Sequence, residues 1–264
     1  MGDICMSNGK PAIAVQLYSL RHLSDSFAEI AGAAAEAGYE GVELIFLPDH
    51  TGEEAKAVLD RHGLQAVSAH VPYQALAEDF AATVDFHRAL GNDCLILPMP
   101  DPQVREAASA DAWRAFGKTL DELGRRCRDE GMRLGYHNHA FEMEEFEGAR
   151  AIDWVLANAR EENLFWEPDL AWITAGGARP LELVQKYAGR CPHIHAKDLA
   201  PAGENEDQMG LADVGYGTLD WDALIPACRA AGASCYVVEH DLPEEPVASV
   251  RRSREFLQSR AALM

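Results

Sequence analysis

One arrangement recurs along this chain and constrains its fold more than any other feature: a helical segment ends at a glycine, and an apolar strand begins two or three residues later. Glycine at that position supplies the left-handed backbone conformation that ends a helix and turns the chain. The arrangement occurs, with little repeated sequence, in EAGYEGVEL, RHGLQAVSAH, ALGNDCLILP, DEGMRLGYHNH and AAGASCYVVEH. Short apolar strands that alternate with helices are typical of a parallel sheet covered on both faces.

The pattern predicts eight strands, each followed by a helix. The predicted strands are 12–20, 41–46, 64–70, 94–97, 134–137, 163–169, 193–198 and 235–239. The predicted helices are 24–37, 53–61, 80–90, 112–129, 149–157, 181–187, 221–231 and 247–262. Eight such units in 264 residues favour one closed (β/α)8 barrel domain over 1–264, with 1–10 as a flexible tail. An open doubly wound sheet is the alternative, but no GxGxxG follows the first strand.

Composition excludes several classes of protein. The formal net charge of -20, from 43 acidic and 23 basic residues, opposes binding to nucleic acid. No apolar run approaches the roughly 20 residues of a membrane span, and the N-terminus does not resemble a secretory signal. The six scattered cysteines form no CxxC pair and are expected to be reduced, buried thiols. We therefore expect a cytoplasmic protein with no nucleic-acid or membrane partner.

Ligand-type side chains stand at the ends of four predicted strands, in YHNHAFE, WEPD, HIHAKD and YVVEHD. Residues two apart in a strand share a face, so His137 lies with His139, Glu167 with Asp169, and His195 with Lys197. Because barrel strand ends meet at one rim, clustered imidazoles and carboxylates there indicate a divalent metal site. The sequence does not choose among Mn, Co, Mg and Zn.

The motifs YHNHAFE, EPDLAW followed by AGG, GRCPHIHAKD, VGYGTLDW and YVVEHD occur in an order that resembles the sugar phosphate isomerase/epimerase family of xylose-isomerase-like barrels. The resemblance covers Ala12 to about Leu257 and is closest to the YHNH branch, which includes 3-keto-glycoside epimerases and C-glycoside-deglycosidating enzymes. It implies one divalent metal ion held by a Glu, Asp, His, Glu set. Asp169, His195 and Glu239 match that set directly.

The fourth ligand departs from the family pattern. His137 stands where the family places a glutamate, and Glu142 follows five residues later. Either residue could complete the metal shell, and we favour Glu142 as the ligand. The predicted catalytic residues are Glu142, Glu239, His137 and His139, and the predicted substrate-binding residues are His70, Lys197 and Trp172. Simpler roles are also open, since Asp169 could cap a helix and Glu142 could lie in a solvated acidic loop.

The resemblance implies a metal-dependent isomerase or epimerase that acts on a keto-sugar or related polyol through an enediolate that the metal stabilises. A lyase that resembles inosose dehydratase or cleaves C-glycosides is the alternative on the same scaffold. A nuclease of the endonuclease IV type is disfavoured by the acidic charge. A non-catalytic subunit is a further alternative. Trp113 and Phe116 could mark a homo-oligomer face or could pack on the barrel.

Overall fold

A computed structural model describes residues 6–7, 10–45, 47 and 49–264 of the chain. Eight parallel strands form a nearly closed barrel with helices between them. They are β1 (Lys10–Gln16), β2 (Gly41–Leu44), β3 (Gln65–His70), β4 (Cys94–Leu97), β5 (Arg133–His137), β6 (Phe165–Glu167), β7 (His193–Ala196) and β8 (Cys235–Val238). The paired order is β7-β8-β1-β2-β3-β4-β5-β6.

Eleven helices lie in the described part of the chain. They are α1 (Phe27–Glu36), α2 (Gly52–Arg61), α3 (Tyr73–Glu78), α4 (Phe80–Leu90), α5 (Pro102–Ala107), α6 (Ala110–Asp129), α7 (Ala151–Ala157), α8 (Leu170–Ala175), α9 (Pro180–Lys186), α10 (Trp221–Ala230) and α11 (Pro246–Ser259). The sequence pattern did not predict α3, α5 and α8, because each is a short helix within a strand-to-helix loop.

The seam between β6 and β7 lies directly under the predicted metal ligands. A parallel bridge joins Asp169 to His195, and the backbone N–H of His195 donates to the carbonyl of Pro168 over 3.0 Å. At the other end of the seam, Trp166 N–H donates to Arg190 O over 2.8 Å. These contacts bring the ends of β6 and β7 together and fix the relative positions of Asp169 and His195.

The glycines that follow the helices have the backbone conformation that the sequence pattern requires. At Gly91, φ is 86°, and its N–H bonds to carbonyls of the last turn of α4. Positive φ also occurs at the other four predicted stops, Gly38, Gly63, Gly131 and Gly232. An L side chain is disfavoured in that region, so the prediction of helix ends at these positions is confirmed.

Four expectations need correction or completion. Helix α1 begins after Ser26, whose side chain accepts from Glu29 N–H, rather than at Ser24. The segment before α7 is a small antiparallel hairpin, Glu145–Phe146 with Ala149–Arg150, so the helix begins at Ala151. In the predicted tail, Met6–Ser7 pairs with Lys10 and Pro11, and residues 1–5 and 8–9 lie outside the described part. Phe46, predicted to end the second strand, also lies outside it.

The core encloses the aromatic residues that were candidates for an oligomer face. Trp113 and Phe116 of α6 are only 2% and 3% exposed and pack in the main hydrophobic cluster. Their alternative role, packing on the barrel, is therefore the one that the structure shows. The cysteines of the described part are buried, as expected, and Cys5 lies outside it. Among the described residues, no helix is long and apolar enough to cross a bilayer.

Candidate active site

Four side chains converge at the carboxyl rim of the barrel: His137 ends β5, Asp169 follows β6, His195 lies in β7 and Glu239 follows β8. One ligand atom from each lies within 4.8 Å of the others, and all four residues are buried. We call these four residues the rim cluster. The structure thus brings together three of the four predicted metal ligands, Asp169, His195 and Glu239, and adds His137.

Two atoms of the rim cluster are buried without a hydrogen bond, Nδ1 of His137 and Oδ2 of Asp169. Burying a polar atom without a partner is costly, so such atoms indicate a missing ligand. Nζ of Lys197 lies 3.2 Å from Oδ2 of Asp169 but at an angle that makes no hydrogen bond. Nδ1 of His137 lies 3.4 Å from Oε2 of Glu167, likewise without a hydrogen bond. These two donor atoms, one imidazole and one carboxylate, fit a divalent cation.

The charge balance of the rim also fits a cation. The Lys197 ammonium lies 2.8 Å from Glu239 and 2.7 Å from Asp241, in addition to Asp169. One ammonium thus faces three carboxylates in a region where Lys197 is completely buried. Lys197 and His195 hold the pKa of Glu239 well below its ordinary value despite burial, so that carboxylate is ionised. Burial raises the pKa of Asp169, and a nearby cation would relieve that penalty.

The histidines have different protonation tendencies. Burial lowers the pKa of His137 well below the ordinary value, with the cationic forms of His195 and His70 adding to the shift. Neutral imidazole is the form that binds a metal. For His195, the carboxylates of Glu167 and Glu43 outweigh burial and raise the pKa. Two kinds of imidazole, one neutral and one held by carboxylates, therefore lie with ring centroids 4.3 Å apart.

A second layer of buried groups supports the cluster from below. Oε1 of Glu43 lies 2.7 Å from Nε2 of His195 and 3.0 Å from Nε2 of His70. Glu167 lies 3.3 Å from both of these imidazole nitrogens. Gln16 donates to Glu43 over 2.8 Å, which completes the network. The Nε2 side of His195 is therefore occupied, while its Nδ1 faces Glu239 at 3.2 Å.

Glu142, predicted as a metal ligand and catalytic residue, lies apart from the rim cluster. A 3-10 turn, Ala140–Met143, follows His139. The Glu142 carboxylate accepts from the Tyr136 hydroxyl over 2.6 Å and from the His139 N–H over 2.7 Å. Burial raises its pKa to about 8. Among the described residues, the groups that could share a metal ion do not include Glu142.

The other predicted site residues surround the rim cluster. The His139 ring stacks on Phe141, with centroids 5.7 Å apart, and meets the His137 ring edge-to-face at 5.0 Å. Its Nδ1 has no hydrogen bond, and burial lowers its pKa to about 3, so the ring is neutral. Trp172 lies 5.0 Å from the Lys197 ammonium and 6.1 Å from the His139 ring. His70 is 13% exposed at its side chain and lines a cavity of about 250 Å³.

Three supporting residues did not stand out in the sequence. Glu43 lies near the end of β2, and that place at a strand end was a usable signal in the sequence. Asp241 lies two residues after Glu239, just as Lys197 lies two residues after His195, so the same alternation would have placed Asp241 on the site face. The side chain of Asn138 accepts from Trp166 Nε1 and from Asp169 N–H, each over 3.1 Å, and so ties β5 to the end of β6. No spacing rule in the sequence indicates that role.

The fold and the rim cluster define a (β/α)8 barrel protein with a buried group of histidine and carboxylate side chains that could hold a metal ion. The chain belongs to the xylose isomerase-like TIM barrel family, which matches residues 31–260. An inosose dehydratase from Clostridium botulinum is 23% identical over 195 residues, covering 67% of this chain and 65% of that protein.

Solved structures show the same fold. A sugar phosphate isomerase/epimerase from Parabacteroides distasonis has a TM-score of 0.76 at 22% identity, with 93% of this chain and 97% of that chain covered. IolI, whose crystal structure contains a bound zinc atom, has a TM-score of 0.72 at 14% identity, with 95% and 98% covered. At these identities the likeness establishes the fold and leaves the reaction open.

Proposed function

We propose that this protein is a divalent-metal-dependent enzyme that removes a proton from the carbon beside the carbonyl of a keto-sugar or related polyol, and that it acts as an isomerase or epimerase. The observation that carries the proposal is the buried rim cluster, in which Asp169 Oδ2 and His137 Nδ1 make no hydrogen bond. The cluster lies at the carboxyl rim, which is where (β/α)8 barrel enzymes have their active sites.

His137, Asp169, His195 and Glu239 would hold the ion, which would be Mn, Co, Mg or Zn. A bound divalent ion polarises a carbonyl oxygen and lowers the cost of negative charge that develops beside it. The zinc atom in IolI, a structural neighbour, supports a divalent metal in a protein of this fold. In this assignment His137 replaces Glu142, which is already engaged by Tyr136 and His139.

Glu239 is our choice for the proton-abstracting base. Its carboxylate is held ionised by Lys197, 2.8 Å away, and at 4% Glu239 is the most exposed of the four residues of the rim cluster. A positioned carboxylate of this kind can accept a proton from a carbon acid whose neighbouring oxygen is stabilised.

The group that returns the proton must come from another element of the rim. Lys197 carries protons and is fixed by three carboxylates, while neutral His139 offers an unbonded Nδ1. We assign the proton-return role to Lys197, because a neutral His139 ring has no readily released proton, and substrate-oxygen binding to His70 and Trp172, whose indole Nε1 also lacks a hydrogen bond.

Dehydration is the second candidate, and the curated relatives favour it. The inosose dehydratase from Clostridium botulinum is one of them. Another inosose dehydratase, from Lacticaseibacillus casei, is 23% identical over 232 residues. A lyase begins with the same proton abstraction but then expels a hydroxyl group from the next carbon. Lys197 could protonate that leaving group.

Solvent-exchange NMR tests the proposal and separates the two outcomes. Keto-sugars and inososes are incubated in D₂O with the protein, with chelator-treated protein, and with protein reloaded with Mn or Zn. Deuterium beside the carbonyl without loss of water supports an isomerase or epimerase, and an enone product supports the lyase. If exchange in the active protein is unaffected by the chelator, the metal-dependent mechanism is wrong.

A further inference from the structure

A cavity of about 290 Å³ lies at the end of the barrel opposite the rim cluster. It is formed where β5 and β6 begin, by the last turns of α6 and by Pro192, which precedes β7. His137, Asp169 and His195 lie at the other ends of these three strands, so the cavity is separate from the candidate active site. Small-molecule sites usually measure about 300–1,000 Å³, so a ligand of this cavity must be small.

The floor of the cavity is apolar. Met132, Leu134 and Leu164 are buried, and Phe165 and Pro192 are half-buried beside them. Because removing apolar surface from water is favourable, a ligand with an apolar body gains free energy by covering this floor. A small polar ion would leave the floor in contact with water and would gain nothing from it.

Two guanidinium groups line the cavity, those of Arg128 and Arg133. A carboxylate oxygen of Glu162 lies 3.6 Å from the Arg128 guanidinium, which is too long for a hydrogen bond. Within the part of the chain that the structure describes, the Arg128 side chain makes no hydrogen bond at all. Arg125, three residues earlier on α6, is by contrast bonded to two carboxylates. Arg128 therefore keeps all its donors, in the planar arrangement that suits a carboxylate.

A third cation lies directly behind the floor. The guanidinium of Arg190, which is only 7% exposed, donates to three backbone carbonyls over 2.7–2.9 Å, one of them the carbonyl of Leu164. Among the described residues it forms no ion pair, and a buried charge without an opposite charge is costly. Glu161 and Glu162 also line the cavity, but they are solvent-exposed, so water and salt screen their charges. The local field therefore favours an anion, although the chain as a whole is acidic.

We propose that this cavity is a second ligand site, separate from the active site, and that it binds a small carboxylate anion with an apolar body. The carboxylate pairs with the guanidinium of Arg128, and the apolar body covers Leu164 and Phe165. Inorganic phosphate or sulfate suits the cavity less well, because it offers nothing to the apolar floor. A cationic ligand would face three guanidinium groups.

Matched small molecules test the ligand class. Binding of 3-phenylpropanoate, 3-phenyl-1-propanol, 2-phenylethylamine and acetate is measured by ligand-observed NMR titration. We expect 3-phenylpropanoate to bind at least about tenfold more tightly than each of the other three. Equal binding of the alcohol would remove the role of charge, equal binding of acetate would remove the role of the floor, and tighter binding of the amine would reverse the sign of the field. Each of these results would overturn the proposal.

Two variants and a chelator locate the binding. Arg128→Met removes the free guanidinium, and Arg125→Met is the matched control on the same helix, with side chains 45% and 41% exposed. We expect binding of 3-phenylpropanoate to weaken about tenfold or more in Arg128→Met and to stay unchanged in Arg125→Met. Treatment with a chelator should leave the affinity unchanged, because the cavity needs no metal. Binding that survives Arg128→Met, or that is lost with the metal, would place the ligand elsewhere and overturn the proposal.

Discussion

Glu43→Gln should weaken metal binding although Glu43 does not belong to the rim cluster. Its Oε1 lies 2.7 Å from Nε2 of His195, and both residues are completely buried. When Nε2–H donates to Glu43, the lone pair of His195 is left on Nδ1, which faces Asp169 and Glu239. Glu43 therefore fixes both the tautomer and the ring orientation that a metal ligand needs.

The expected magnitude follows from the loss of that support. Removing a carboxylate that orients a metal-ligating histidine typically costs about 10- to 100-fold in metal affinity, or roughly 1.4 to 2.7 kcal/mol. Glutamine preserves the volume but offers a single acceptor oxygen. Gln16 and Ser68 donate to the two different oxygens of Glu43, so one of these hydrogen bonds would also be lost.

The assay is a competitive zinc titration against a chromophoric chelator, with wild type and variant compared at one pH. Glu142→Gln is the matched control, because Glu142 is equally buried but is bound to Tyr136 and His139. We expect a 10- to 100-fold weaker affinity for Glu43→Gln and little change for the control. The reverse pattern would refute the reasoning and would restore Glu142 as a metal ligand. Thermal melts of both variants check that the fold is retained.

Two further predictions concern buried charge. Lys197→Met leaves three carboxylates without their ammonium and should destabilise the metal-free protein by about 3–5 kcal/mol, whereas Lys56→Met, at an exposed pair with Asp60, should cost at most about 1 kcal/mol. Urea unfolding measures both, and equal losses would contradict the charge balance described for the rim. Burial raises the pKa of Glu142 from 4.5 to about 8, so the folded protein keeps a proton that the unfolded chain releases. The stability linked to this proton is complete below about pH 4.5 and is lost as the pH rises to about 8. The unfolding free energy of wild type relative to Glu142→Gln should therefore fall across that range, and a constant difference would show that Glu142 does not titrate there.

Much of the barrel could be predicted from sequence because its signals are local. A glycine that ends a helix and an apolar run that forms a buried strand are decided within a few residues of chain. The extra short helices and the hairpin before α7 were missed because no such local signal marks them. They lie in loops whose conformation depends on contacts with the rest of the rim, such as the Trp154 indole donating to Phe146 O over 2.9 Å.

The site was predictable in part. The positions of Asp169, His195 and Glu239 at the ends of predicted strands placed them on one rim, and the family resemblance grouped them as metal ligands. The prediction for Glu142 depended on how the chain turns after His139. That turn is set by the Tyr136 hydroxyl, which holds the carboxylate away from the cluster. The role of Glu43 was not predictable from spacing, because β2 and β7 are not neighbours in the sheet and their contact crosses the barrel.

The most direct test of the account is the metal content of the purified protein by mass spectrometry, for wild type and Glu239→Gln after incubation with Mn or Zn and removal of free ions. The account predicts about one divalent ion per chain in wild type and a clearly lower content in the variant. No metal in wild type, or equal content in both proteins, would contradict a metal site at the rim cluster. The histidines and carboxylates would then form a polar network, and the proposed proton chemistry would lose its basis.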